Sequence, residues 1–154
     1  MGITITTKIN GDSITATADA STSLLEFLRD TLEMKGSKLC CNTGECGACT
    51  VIYNGKPINS CVTIAADANG AEITTIEGLA EGDKLHPVQQ AFIDTGAVQC
   101  GYCTPGFIMS VKALFDRTKK PTAQDIEEAI SGNICRCTGY NKIVDAIQLA
   151  AEKL

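Results

Sequence analysis

Nine cysteines in a chain of 154 residues constrain this protein more than any other feature of its sequence. They are Cys40, Cys41, Cys46, Cys49, Cys61, Cys100, Cys103, Cys135 and Cys137. A disulfide framework, structural zinc sites and iron–sulfur ligation are the three explanations to compare. We disfavour disulfides because the count is odd and because the first residues lack the basic and apolar regions of a secretory signal. The spacing of the cysteines therefore has to decide between structural zinc and iron–sulfur ligation.

The first four spaced cysteines predict a [2Fe–2S] cluster. The pattern Cys41-x4-Cys46-x2-Cys49, followed by Cys61, matches the plant-type ferredoxin spacing C-x4-C-x2-C…C. Such a cluster is an anion, and a buried anion needs hydrogen-bond donors. Gly44, Gly47 and Ala48 keep bulky side chains away from the N–H groups of the loop, and glycine also permits positive φ. Cys40 is left over, because ligation through Cys40 would lengthen the first spacing from four residues to five.

The remaining four cysteines form two close pairs. Cys100-x2-Cys103 is followed, after a long interval, by Cys135-x-Cys137. By themselves these pairs suit zinc and iron–sulfur ligation equally well, because structural zinc also uses two close cysteine pairs. The ferredoxin-like loop earlier in the chain favours iron for this second set.

Hydrophobic periodicity divides the chain into two parts. In the first part it predicts a hairpin over 3–18, a helix from Ser23 to about Met34, a hairpin over 49–58 and a strand over 71–76. In the second part it predicts four helices, which begin near Pro87, Gly106, Thr122 and Asn141. We therefore expect an α+β domain over 1–78, a linker over 79–85 and a helical domain over 86–154.

Charge and composition narrow the classes of function. The chain has 13 basic and 18 acidic residues, so it lacks the basic excess that binding to nucleic acid requires. No run approaches the roughly 18 apolar residues of a membrane span, so we expect no membrane contact and a cytoplasmic location. His86 is the only histidine, and its place before Pro87 predicts a helix start rather than a proton carrier.

Three segments resemble the iron–sulfur subunit of molybdenum hydroxylases, the xanthine dehydrogenase family. Gly44-Glu-Cys-Gly-Ala-Cys-Thr-Val51 resembles the family's ferredoxin loop. Gln99-Cys-Gly-Tyr-Cys-Thr-Pro-Gly106 and Gly132-Asn-Ile-Cys-Arg-Cys-Thr-Gly-Tyr140 resemble its second cluster motif. The resemblance covers nearly the whole chain. One residue departs from the pattern, because the family usually has glycine where this chain has Cys40. If that position needed positive φ, the Cβ of Cys40 would cost about 1 kcal/mol.

The resemblance implies a β-grasp ferredoxin domain followed by a four-helix domain, each with one [2Fe–2S] cluster. It assigns the ligands to two sets: Cys41, Cys46, Cys49 and Cys61 toward the flavin, and Cys100, Cys103, Cys135 and Cys137 beside the molybdopterin. It also implies that Gln99 and Cys137 contact the pterin. The expected partners are a large molybdopterin-binding subunit and a medium FAD-binding subunit.

These implications predict an electron-transfer subunit of a molybdenum hydroxylase, with no substrate-converting residue on this chain. Single electrons would pass from the molybdopterin through two clusters to the flavin. Two other functions stay open from the sequence. One is a free-standing soluble electron carrier of the ferredoxin type, and the other is an interaction module held together by zinc.

Overall fold

The structure is a computed structural model that describes residues 2–154, and these fold into one mixed five-stranded sheet and five helices. The strands are β1 (Gly2–Ile9), β2 (Asp12–Asp19), β3 (Thr50–Tyr53), β4 (Lys56–Asn59) and β5 (Glu72–Thr74). The helices are α1 (Leu24–Glu26, continued by a π-helical turn over Phe27–Thr31), α2 (Pro87–Asp94), α3 (Thr104–Arg117), α4 (Ala123–Ile130) and α5 (Asn141–Lys153). No helix among the described residues is long and apolar enough to cross a membrane.

The sheet occupies the first half of the chain and holds α1 against one face. Its strand order is β2-β1-β5-β3-β4, with β1 parallel to β5 and all other neighbours antiparallel. Alternate residues of β1 are buried, as the sequence pattern predicts, and Ile5 and Ile9 share a core with Phe27 and Ile73. This mixed sheet around a helix confirms the expected α+β fold.

The first helix begins as predicted but ends earlier. Ser23 and Glu26 form the expected capping box, with hydrogen bonds of 2.9 Å and 3.2 Å between backbone N–H and side-chain oxygen. The predicted end near Met34 is wrong, because the helical turn widens and stops at Thr31. Glu33 then has a φ of 57°, which turns the chain so that Met34 packs against the sheet core. Periodicity alone does not reveal such a π-helical ending.

The second half of the chain consists of the four predicted helices. Phe92, Phe107, Phe115 and Ile147 are almost wholly buried in a core that α2–α5 share. Helix α3 also packs on β3, so Ile52 of the sheet belongs to this second core as well. Leu79, at the start of the predicted linker, is buried in the same core. The domain limits at 78 and 86 stay a prediction.

Candidate functional site

The fold brings the eight predicted ligands together in two sets. The N-terminal thiol set comprises Cys41, Cys46, Cys49 and Cys61, and the C-terminal thiol set comprises Cys100, Cys103, Cys135 and Cys137. In the N-terminal set the thiol of Cys41 is close enough to that of Cys46 to shift its pKa, and the thiol of Cys49 is close enough to that of Cys61 to do the same. In the C-terminal set the sulfurs of Cys100 and Cys137 are 3.7 Å apart, and Cys103 neighbours Cys135. All nine cysteines are free thiols.

The donor chemistry of both sets fits a [2Fe–2S] cluster. Each set offers four sulfurs that come as two neighbouring pairs, and a two-iron cluster divides four thiolates between its irons. Soft thiolate ligands select iron–sulfur clusters or zinc over hard cations. Among residues 2–154, no three cysteine, histidine or acidic side chains converge as the ligands of one metal ion would.

The loop of the N-terminal thiol set directs backbone donors at one sulfur. Gly44 and Gly47 have φ values of 79° and 67°, which confirms the expected use of glycine in this loop. The N–H groups of Thr43 and Cys46 donate to the Sγ of Cys41 at 3.4 Å and 3.5 Å. Hydrogen bonds from the hydroxyl and N–H of Thr43, and then from Cys46, lower the pKa of the Cys41 thiol to about 5.

Burial acts in the opposite direction on other members of the sets. Burial, followed by the neighbouring Cys49 thiol, raises the pKa of Cys61 to about 12. Burial, followed by the Cys135 thiol, raises the pKa of Cys103 to about 12. Thiols of this kind lose their protons only when a metal replaces them, so loading of the sites must release protons.

Cys40 lies on the surface next to this loop. It is exposed, and it is not among the residues with positive φ. Cys40 therefore does not have the backbone strain that a side chain causes at a position with positive φ. Its assignment as a thiol outside the ligand set stays a prediction.

The C-terminal thiol set lies where three helix ends meet. Cys103 directly precedes α3, and Cys135 and Cys137 lie on the segment between α4 and α5. Cys135 is buried, whereas Cys100 and Cys137 are exposed at one edge of the set. Gln99 is exposed beside Cys100. Of the two residues expected to contact a pterin, Gln99 thus precedes Cys100 in the chain and Cys137 has its sulfur close to that of Cys100.

The loops of the two sets touch each other directly. The N–H of Ile134 donates to the carbonyl oxygen of Cys46 at 2.9 Å, and the buried side-chain amide of Asn133 donates to the carbonyl oxygen of Gly47 at 3.1 Å. A Cβ on Gly106 would lie 2.1 Å from that same Gly47 oxygen. We call this contact of Cys46, Gly47, Gly106, Asn133 and Ile134 the loop junction. Sequence reasoning missed it, and its local signals were two glycines, Gly106 in the first turn of α3 and Gly47, where a Cβ would lie 2.4 Å from the side-chain amide of Asn133.

His86 serves as the N-cap of α2. Its Nδ1 accepts a hydrogen bond from the N–H of Val88 at 3.3 Å, and the side chain of Gln89 accepts from the N–H of His86 at 2.9 Å. The predicted helix start is confirmed. Burial, with a contribution from Lys112, lowers the pKa of His86 below its ordinary value.

Family models match both halves of the chain. The model described as "2Fe-2S iron-sulfur cluster binding domain" matches residues 7–76, and the one described as "[2Fe-2S] binding domain" matches residues 75–148. The chain therefore has two [2Fe–2S]-binding domains. This finding decides between zinc and iron, the two metals that spacing alone left open for the C-terminal thiol set.

Similar proteins are iron–sulfur subunits of oxidoreductases. The chain is 46% identical over 151 residues to the "Nicotinate dehydrogenase small FeS subunit" of Eubacterium barkeri, covering 98% of this chain and 96% of the relative. It is 45% identical to the "Aldehyde oxidoreductase iron-sulfur-binding subunit PaoA" of Escherichia coli, covering 97% of this chain and 72% of that one.

Solved structures agree with these relatives. A chain of quinoline 2-oxidoreductase from Pseudomonas putida 86 matches with a TM-score of 0.94 and 37% identity, covering 98% of this chain and 94% of that one. Aldehyde oxidoreductase from Desulfovibrio gigas matches with a TM-score of 0.92 and 43% identity over 97% of this chain, but only over 17% of its own longer chain. These relatives support an electron-transfer role for this chain within an oxidoreductase complex. It belongs to the molybdenum hydroxylase family, as a small iron–sulfur subunit.

Proposed function

We propose that this chain relays single electrons from the molybdopterin centre of a large subunit to the FAD of a medium subunit. A bound [2Fe–2S] cluster takes up and releases one electron at a time, which is what a link between two-electron centres requires. The loop junction is the observation that supports this relay best. At this junction Ile134 donates a hydrogen bond to Cys46 of one set and is bonded directly to Cys135 of the other set. The path from Cys46 to Cys135 is therefore one hydrogen bond and one residue long.

The proposal assigns four ligands to each cluster and a direction to the chain. Cys41, Cys46, Cys49 and Cys61 hold the cluster that faces the flavin, and Cys100, Cys103, Cys135 and Cys137 hold the cluster that faces the molybdopterin. Gln99 and Cys137 contact the pterin. Their exposed position beside Cys100 supports this assignment, because a group on another subunit can reach only the surface of this chain.

Exposed apolar side chains beside each set support two different partner contacts. Val62 and Ile64 follow Cys61 closely and are 58% and 48% exposed. Val98 and Tyr102 flank Cys100 and are 39% and 46% exposed. Large apolar side chains grouped at a functional edge are typical of surfaces that other proteins cover. The relatives that are small subunits of larger complexes support the same hetero-oligomer.

We infer a cytoplasmic location from the thiols. The proposed clusters need eight of the nine cysteines as thiolate ligands, which suits a reducing compartment.

Metal analysis and co-purification test the relay. We expect the native complex to hold about four irons per copy of this chain and to give two distinct [2Fe–2S] signals by electron paramagnetic resonance after reduction with dithionite. We also expect the chain to elute from size exclusion with molybdenum- and flavin-bearing subunits. A monomer that elutes alone with both clusters would favour a free-standing electron carrier instead.

Two serine variants test the order of the clusters. Cys103→Ser should slow substrate-driven reduction of the flavin and of the remaining cluster by more than about tenfold, because it removes a ligand on the molybdopterin side. Cys61→Ser should leave substrate-driven reduction of the C-terminal cluster fast while it slows reduction of the flavin. Stopped-flow spectra of the assembled complex distinguish these outcomes. Equal rates of cluster reduction in wild type and Cys103→Ser would contradict the order.

A further inference from the structure

Three residues around the C-terminal thiol set form a closed ring of hydrogen bonds. The hydroxyl of Thr138 donates to the Sγ of Cys135 at 3.0 Å. The N–H of Cys135 donates to the Oη of Tyr140 at 3.0 Å, and the N–H of Tyr140 donates to the Oγ1 of Thr138 at 3.3 Å. Each residue thus donates to one member of the ring and accepts from the other. The N–H of Thr138 adds a second donor to the same sulfur at 3.4 Å.

The backbone of Tyr140 has an unusual conformation within this ring of hydrogen bonds. Its φ is 70°, a left-handed value that an aromatic residue rarely adopts. The aromatic ring of Tyr140 meets that of Phe107 edge to face, with centroids 6.2 Å apart and planes at 63°. Phe107 is wholly buried in the helical core, so the core fixes the orientation of Tyr140. A strained backbone of this kind persists where the surrounding structure over-determines it.

The N-terminal thiol set has no equivalent ring. Thr43 donates its N–H to the Sγ of Cys41 at 3.4 Å, and its hydroxyl is shared between that sulfur and a carboxylate oxygen of Glu45 at 3.1 Å. A carboxylate is a stronger acceptor than a sulfur, and it competes for the single hydroxyl hydrogen. In the C-terminal thiol set the Thr138 hydroxyl has the sulfur of Cys135 as its acceptor and the Tyr140 N–H as its donor.

We propose that Thr138 is a positioning residue that raises the reduction potential of the C-terminal cluster by donating its hydroxyl hydrogen to the Cys135 sulfur. The inference rests on the proposed function, in which Cys135 is a ligand. Reduction adds one electron and no proton, and the hydroxyl hydrogen stays on Thr138. The added negative charge spreads to the ligand sulfurs, so a donor to sulfur stabilises the reduced form more than the oxidised form. The Tyr140 N–H polarises the hydroxyl and strengthens its donation.

A redox titration of the assembled complex, followed by electron paramagnetic resonance, tests the proposal. Thr138→Val removes the hydroxyl with little change of shape. At a fixed solution potential near the midpoint, we expect the ratio of reduced to oxidised C-terminal cluster to fall about tenfold, which is about 59 mV for a one-electron couple. Thr138→Ser keeps a hydroxyl and should restore most of the ratio. The N-terminal cluster should titrate as in wild type.

Two further variants control for disturbance of the loop. Thr138→Ala lacks the hydroxyl without branching at Cβ and should shift the C-terminal cluster as Thr138→Val does. Thr43→Val alters the matching position of the other set and should leave the C-terminal cluster unchanged. An unshifted potential in Thr138→Val and Thr138→Ala, with both signals and four irons retained, overturns the role of Thr138 and leaves the relay intact. Equal shifts of both clusters, or a serine variant that behaves like valine, also overturn it. Absence of two signals in wild type contradicts the relay itself.

Discussion

At the residue scale, hydrogen-bond donors and burial give chemically identical thiols different pKa values. Cys41 and Cys61 are assigned to the same cluster, yet the pKa of Cys41 is lowered to about 5 by donors from Thr43, and that of Cys61 is raised to about 12 by burial. In the iron-free chain at neutral pH, Cys41 is therefore a thiolate and Cys61 a thiol.

This difference predicts selective alkylation of Cys41. In iron-free protein that carries Cys40→Ser, iodoacetamide should modify Cys41 at a rate that has levelled off by pH 7, because its thiolate is fully formed there. The rate at Cys61 should still be rising at pH 9. Peptide mapping after timed quenching measures both rates. A Cys41 rate that rises tenfold per pH unit between pH 7 and 8 would contradict the role of the Thr43 donors.

His86 predicts a pH dependence of stability that belongs to one residue. Its Nδ1 must stay unprotonated to cap α2, and burial, with Lys112 and Lys119, lowers its pKa although Asp116 opposes the shift. The unfolded chain binds the proton more readily, so this contribution is present above about pH 6.5 and is lost as the pH falls toward the folded-state pKa. Denaturant unfolding between pH 8 and 5 measures the loss.

The matched variant for this test is His86→Asn, which can cap the helix without titrating in this range. It should remove the part of the pH dependence that begins near pH 6.5. His86→Ala should lower the free energy of unfolding at pH 8 by about 1 kcal/mol, because the N-cap is lost. An identical pH profile in wild type and His86→Asn would show that the cap does not titrate as described.

At the scale of elements, the main feature is the close approach of α3 to the ferredoxin-like loop. Alanine normally stabilises a helix relative to glycine by about 1 kcal/mol. At Gly106 we expect the opposite, because a Cβ there would lie 2.1 Å from the Gly47 oxygen and 3.1 Å from the Cα of Ala48. Gly106→Ala should lower the free energy of unfolding by about 1–3 kcal/mol through overpacking. Chemical denaturation of the cluster-loaded protein measures the change.

Gly132 provides a control beside the same junction. It lies next to Asn133, has no positive φ, and has no atom within 4 Å of an added Cβ. Gly132→Ala should therefore change the free energy of unfolding by less than about 0.5 kcal/mol. Equal effects of the two alanine substitutions would mean that the close approach of α3 to Gly47 does not hold the two halves together.

At the scale of the whole molecule, two cores share one boundary that cluster ligands help to form. Ile52 of the sheet packs in the helical core, and Cys46 and Ile134 join the loops. Iron removal by a chelator under reducing conditions should therefore destabilise both halves, because ligand binding to the folded state adds to its stability. Each kcal/mol lost should lower the Tm by about 2–4 °C. An unchanged Tm after complete iron loss would contradict this coupling.

The amino-acid sequence by itself determined the features that arise from near neighbours. The ferredoxin spacing, both hairpin turns, the capping box at Ser23, and the four helices of the second half all follow from residues a few positions apart, where backbone preference and periodicity act. The grouping of eight cysteines into two sets of four was also predicted from spacing and resemblance, and the fold brings the same cysteines together.

Only the tertiary structure decided what depends on residues far apart along the chain. The contact between Asn133 and Gly47 spans 86 positions, and no local pattern anticipates it. The early end of α1 likewise depends on how Met34 reaches the sheet core. The hydroxyl of Tyr140 accepts the Cys135 N–H because Phe107 of another helix fixes its aromatic ring. Local sequence sets the backbone preferences of each segment, whereas packing between segments selects the partner that each polar atom meets.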